Sequence, residues 1–134
     1  MLWKGPLMTI RRICTGSTWE PKIGYARAVV AGGWVHVSGT TGTDHATGIV
    51  PENVTEQCAL ALQIIDRALQ AAGATFADVV RVHYILPDRA DFAPCWPLLS
   101  ATFGAHPPAA TMFEAGLIDP RHKIEIEVTA RLPG

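Results

Sequence analysis

Lys123-Ile124-Glu125-Ile126-Glu127-Val128-Thr129-Ala130 alternates apolar and polar side chains without a break, and it lies downstream of Pro108-Ala109-Ala110-Thr111. Such alternation is the signature of a β-strand, whose successive side chains point to opposite faces. Ile124, Ile126 and Val128 therefore share one face, and Glu125 and Glu127 share the other. The apolar face belongs either to a helix-covered core or to an interface between subunits. Two carboxylates on a solvated strand face are the ordinary outcome of this pattern. The alternative is a carboxylate set in an apolar cleft, where a raised pKa would suit it to acid or base work near neutrality.

Working backwards, residues 110–117 read as the preceding strand, joined to 123–131 by a turn over Asp119-Pro120. Residues 91–103 form an expected helix capped by Asp91, with Pro94 and Pro97 in its first turns. Residues 79–86 read as a strand in which Val80, Val82, Tyr84 and Leu86 share one face, closed by Pro87-Asp88. Before it, Val54, Cys58, Ala61, Ile65, Leu69 and Ala72 recur at helical spacing. That helix is expected from Glu52, with Pro51 suited to its first turn and Gly73 as its stop. Residues 26–38 read as a hairpin around a Gly32-Gly33 turn, and 39–48 as loop. The order is ββαβαββ, an α+β arrangement of two helices on one face of a mainly antiparallel sheet.

The chain has 134 residues, 49% of them hydrophobic and 17% charged, which suits one compact core. Residues 9–134 read as a single domain, and residues 1–8 as a disordered extension. The net charge of −1 and the scattered Lys and Arg lack the basic footprint of a nucleic-acid binder. Small-molecule and protein partners fit better. Cys14, Cys58 and Cys95 form no Cys-x-x-Cys pair, which fits a reducing cytoplasm. No stretch is long and apolar enough for a membrane span. The five histidines (36, 45, 83, 106 and 122) show no metal-ligand spacing, and no cofactor is expected. Ser38 lacks the flanking glycines of a nucleophile elbow and reads as a loop-entry serine bonding backbone.

Gly24-Tyr25, Val35-His36-Val37-Ser38-Gly39, Thr47-Gly48, Gln57, Ala71-Ala72-Gly73-Ala74, Asp78-Val79-Val80, Pro108-Ala109 and Ile124-Glu125-Ile126-Glu127 follow one another in this order from residue 24 to residue 130. Together these short segments resemble the RidA/YjgF family, also labelled endoribonuclease L-PSP. The resemblance implies a chorismate-mutase-like fold, a homotrimer with clefts between subunits, and hydrolysis of imines and enamines derived from amino acids. It implies Glu125 as the catalytic residue that positions the attacking water, and Tyr25 as a pocket aromatic. The family writes Pro-Ala-Arg-Ser where this chain has Pro108-Ala109-Ala110-Thr111, so Ala110 stands where an arginine grips the substrate carboxylate. Ala110 and Thr111 are thus the substrate-binding positions by alignment, with Ala110 otherwise a small residue facing the core. Arg27 would project from the same face as Tyr25 in an extended segment and is the first candidate for a relocated anion clamp, the alternative being a surface arginine. Two functions remain open: a divergent deaminase, and a trimer that binds a small metabolite without turnover. The endoribonuclease label finds little support in the charge pattern.

Overall fold

The computed structural model describes residues 9–134, so the expected extension over residues 1–8 lies outside the described residues. Six strands form one sheet in the order β1-β2-β3-β6-β4-β5. They are β1 (Arg11–Ile13), β2 (Ala28–Ala31), β3 (Trp34–Thr41), β4 (Val79–Leu86), β5 (Ala109–Glu114) and β6 (Glu125–Arg131). Among these, only β4 and β5 pair in parallel. The helices are α1 (Trp19–Ile23), α2 (Val54–Ala72) and α3 (Trp96–Phe103). The expected α+β order is present, with β1 and α1 added before it.

The β2–β3 hairpin turns through Gly32 and Gly33, at φ of 58° and 81°, with Ala31 opposite Trp34. Positive φ at both central residues is what a two-residue hairpin turn demands, and glycine meets it without strain. α2 begins two residues later than expected. Asn53 caps it by accepting from the backbone N–H groups of Thr55 and Glu56, which leaves Pro51 outside the helix. Cys58, Ala61, Ile65 and Leu69 on its apolar stripe are fully buried against the sheet. Each large side chain so buried contributes about 1.5–3 kcal/mol. Ile124, Ile126 and Val128 belong to this helix-covered core.

Five expectations are corrected. Val80 is exposed, because a register shift between Val79 and Arg81 turns it off the core face that Val82, Tyr84 and Leu86 occupy. The expected helix over 91–103 is broken into two short 3₁₀ turns, Arg89–Asp91 and Ala93–Cys95, before α3. Pro94 has no N–H and disfavours helical backbone at the residue before it, so the chain restarts at Trp96 with Pro97 in the tolerated first turn. Asp88, and not Asp91, supplies a cap here, accepting from the N–H of Ala90. Finally, β5 ends at Glu114 and β3 runs on to Thr41 through residues expected as loop.

Candidate functional site

Glu125 opens β6, opposite Thr41 of β3 and Ile85 of β4. It lies on the sheet face away from the helices, together with Glu127, as the alternation required. The pairing of β3 with β6 shifts between Val37 and Thr40, which leaves an extra residue on β3 and places Gly39 beside the Glu125 side chain. A Cβ at Gly39 would sit 2.7 Å from Glu125 Oε1 and 2.9 Å from its Cδ. Only a residue without a side chain leaves the carboxylate where it is. Burial raises the Glu125 pKa first and the Glu127 carboxylate second, while Arg27 pulls it down. Glu127 itself pairs with His83 Nδ1 at 2.9 Å.

A cavity of about 650 Å³ opens on Glu125, with Tyr25, Arg27, Gly39 and Thr41 beside it. α1 forms one wall and the loop between β5 and β6 the other. Gln57, fully buried on α2, ties that loop down: its Nε2 donates to the carbonyls of Pro51 and Arg121, and its Oε1 accepts from the N–H of Lys123 at 2.8 Å. The start of β6, and so Glu125, is held from beneath by these bonds.

Arg27 is neither a surface arginine nor a free clamp. Its side chain is 4% exposed and Nη2 lies 3.6 Å from Glu20 Oε2, itself fully buried. Nη1 donates to Gly39 O at 2.9 Å and to Thr40 Oγ1 at 3.0 Å, and Nη2 to the Tyr25 hydroxyl at 3.4 Å. The guanidinium also sits 5.5 Å from the centre of the Tyr25 ring. Arg27 therefore clamps protein groups, stiffening the Tyr25 side of the cavity and the bulge that seats Glu125. Glu20 in turn accepts from the backbone and hydroxyl of Thr15. A lone pair of buried charges so supported is costly to break.

The second arginine of the cavity, Arg121, donates to both oxygens of Asp119, Nε to Oδ1 at 3.1 Å and Nη2 to Oδ2 at 2.8 Å. Those bonds hold the Asp119 carboxyl well below the usual range. His122 Nε2 and Thr43 Oγ1 share a hydrogen bond of 2.8 Å on the cavity floor. Burial lowers the pKa of His122 and of His45, which is lowered further by Arg27. Among the described residues, no group of three or more His, Cys, Asp or Glu side chains is placed to hold a metal ion.

Tyr25, Arg27 and Glu125 thus meet in one cavity, whereas Ala110 and Thr111 do not reach it within the chain. β4 stands between β5 and β6, and Ala110, level with the core residue Val82, points to the opposite face from Glu125. Ala110 is on the core side of the sheet, but at its edge no helix covers it and it is exposed. Thr111 lies on the open face, its hydroxyl 3.5 Å from Arg81 Nη1. Ser38 bonds backbone as expected, donating to Ala26 O at 2.7 Å.

Residues 15–132 match the family described as endoribonuclease L-PSP. The chain belongs to the RidA/YjgF family. Its relatives include the rat 2-iminobutanoate/2-iminopropanoate deaminase, 32% identical over 123 residues and 90% of either chain. Among solved structures, it resembles a YjgF/YER057c/UK114 family member from Mycobacterium tuberculosis, with a TM-score of 0.84 and 34% identity over 92% of this chain and all of that one. A YjgF family member from Neisseria meningitidis superposes with a TM-score of 0.80 at 31% identity, covering 95% of this chain and 98% of the other. This RidA/YjgF chain has one cavity wall that periodicity could not reveal: α1, five residues long, carries Trp19 and Ile23. The useful signals in the sequence were Pro21, tolerated in a first turn, and Gly24, whose N–H caps the helix at Glu20 O.

Proposed function

We propose that this chain is a divergent RidA-family deaminase that hydrolyses a small imine or enamine derived from an amino acid, in a cleft completed by a neighbouring copy in a homotrimer. The observation that carries the reading is Glu125: a carboxylate of raised pKa, seated against Gly39 in a cavity shared with Tyr25. In the reaction Glu125 takes a proton from water as the water oxygen adds to the imine carbon. That proton passes to nitrogen to give a carbinolamine; Glu125 then carries the hydroxyl proton to the amine nitrogen as the C–N bond breaks, so that ammonia leaves and a 2-keto acid remains. No redox partner or cofactor is needed.

The trimer is supported by the exposed edge strand β5, whose six residues are all exposed, Met112 and Phe113 among them. An unpaired edge with large apolar side chains favours association. A neighbour's Ala110 and Thr111 would then enter the cleft, with no cation at position 110. A charge-assisted hydrogen bond contributes roughly 1.5–3 kcal/mol, so this absence weakens the hold on a small carboxylate. The engagement of Arg27 by Glu20 and of Arg121 by Asp119 also favours a second reading, a trimer that binds a metabolite without turnover. No helix among the described residues is long and apolar enough to cross a membrane, and the three free cysteines suit the cytoplasm.

The test is ammonia release from 2-iminopropanoate and 2-aminoacrylate, with light scattering on the same samples. The wild type should form a trimer with weak turnover, Ala110→Arg should gain activity, and Glu125→Gln should lower kcat more than it weakens ligand binding. A monomer at micromolar concentration overturns the intersubunit cleft. An unchanged kcat in Glu125→Gln overturns the role of Glu125 and leaves the binding reading.

A further inference from the structure

We infer that the cleft selects its substrate by a bulky apolar side chain, aromatic or branched, held between α1 and the β5–β6 loop, and that Trp19 is the residue that sets this preference. The inference rests on the deaminase reading of the same site. Three observations carry it.

The first is size. One protomer's share of the cleft is about 650 Å³, of the order that encloses a drug-sized molecule and with room beyond a three-carbon imine. The second is the lining. Trp19 and Ile23 stand four residues apart on one side of α1, both on the cavity and both more than half exposed. Leu117 and the fully exposed Ile118 line it from the β5–β6 loop. The Lys22 ammonium lies 5.2 Å from the Trp19 ring centre, a cation–π contact that favours this placement of the indole. Large apolar side chains exposed around a concavity mark a binding surface, and the lining they share with Glu125 favours a small ligand here over the subunit contact that the edge of β5 favours.

The third is charge. Both arginines on the cavity are matched by carboxylates, Arg27 by Glu20 and Arg121 by Asp119, so neither offers an uncompensated guanidinium to a substrate carboxylate. With Ala110 in the strand that a neighbour would present, recognition shifts from the carboxylate to the side chain. The chemistry is unchanged: water adds to the imine carbon, the C–N bond breaks, and ammonia and a keto acid leave.

The experiment compares imines generated in place from L-phenylalanine, L-leucine and L-alanine by an L-amino-acid oxidase with catalase, reading kcat/KM for imine disappearance. The benzyl and isobutyl imines should exceed the methyl imine by at least about tenfold, since even one methylene in an apolar pocket is worth that much. Trp19→Ala should bring the ratio of benzyl to methyl close to one, while Trp19→Phe should keep most of it. Damage to the fold would lower all three substrates together and leave the ratio intact. A wild-type ratio near one, or a trimer that dissociates on Trp19→Ala, overturns the inference and leaves the deaminase reading standing. If no imine is turned over, the deaminase reading fails by itself. Calorimetric titration with phenylpyruvate and pyruvate then decides the cleft: tighter binding of phenylpyruvate, lost in Trp19→Ala, upholds the apolar selection, and equal or absent binding overturns it.

Discussion

Replacing Gly39 with alanine should separate activity from stability. The new methyl carbon would lie 2.7 Å from Glu125 Oε1, 2.9 Å from Cδ and 3.3 Å from Cγ. Non-bonded heavy atoms rest at roughly 3.5–4.0 Å, so the carboxylate must retreat by about 1 Å. A displacement of that size at a reacting group costs on the order of 100-fold in rate. The fold should lose much less. The clash involves the end of a flexible, half-buried side chain, and Gly39 is not among the glycines at positive φ, so its backbone suits an L-residue. Overpacking of this kind costs about 1 kcal/mol, the low end of its usual range. The sign should reverse in a Glu125→Ala background. There the clash is gone, and a glycine-to-alanine change in compatible backbone stabilises by about 0.4–1 kcal/mol. Urea unfolding of the four proteins forms a double-mutant cycle, and imine hydrolysis by the single variant gives the rate. Full kcat in Gly39→Ala, or the same stability change with and without the Glu125 carboxylate, would refute the claim that Gly39 seats this group.

The raised pKa of Glu125 also fixes the sign of a pH effect. Between its ordinary and raised values the folded state holds a proton that the unfolded state has lost, so stability falls as pH rises through that window. Relative to the wild type, Glu125→Gln should remove this downward slope, which thermal melts at steps from pH 4 to 7.5 would resolve; parallel profiles would contradict the shift. Glu20→Gln should cost about 3–5 kcal/mol, because it leaves the buried Arg27 cation without its counter-charge. Denaturant unfolding would measure it, and a loss under about 1 kcal/mol would show that the Gly39 and Thr40 bonds suffice to hold Arg27.

Much of the site was legible before the tertiary structure, because local rules governed it. Alternation placed Glu125 and Glu127 together on one face of β6, and two consecutive glycines announced the β2–β3 turn. The helical period of α2 marked the stripe that became the core, and the order of short segments from Gly24 to Ala130 carried the family. What escaped was decided by contacts between elements. Nothing local shows that a bulge on β3 brings Gly39 against Glu125, or that the shift at Val79–Arg81 expels Val80. Arg27 reads as a free cation until the fold buries it beside Glu20, seven residues earlier and on a helix too short to show periodicity. Ala110 aligns with a substrate-binding position, yet strand order puts β4 between it and Glu125 and turns it to the other face. The sequence by itself determined which side chains are able to carry chemistry and, away from the register shifts, which face each strand presents, since these follow from side-chain type and a period of two. Only the tertiary structure decided which charges are already satisfied and which groups share a cavity, because pairing and burial depend on segments distant in the chain.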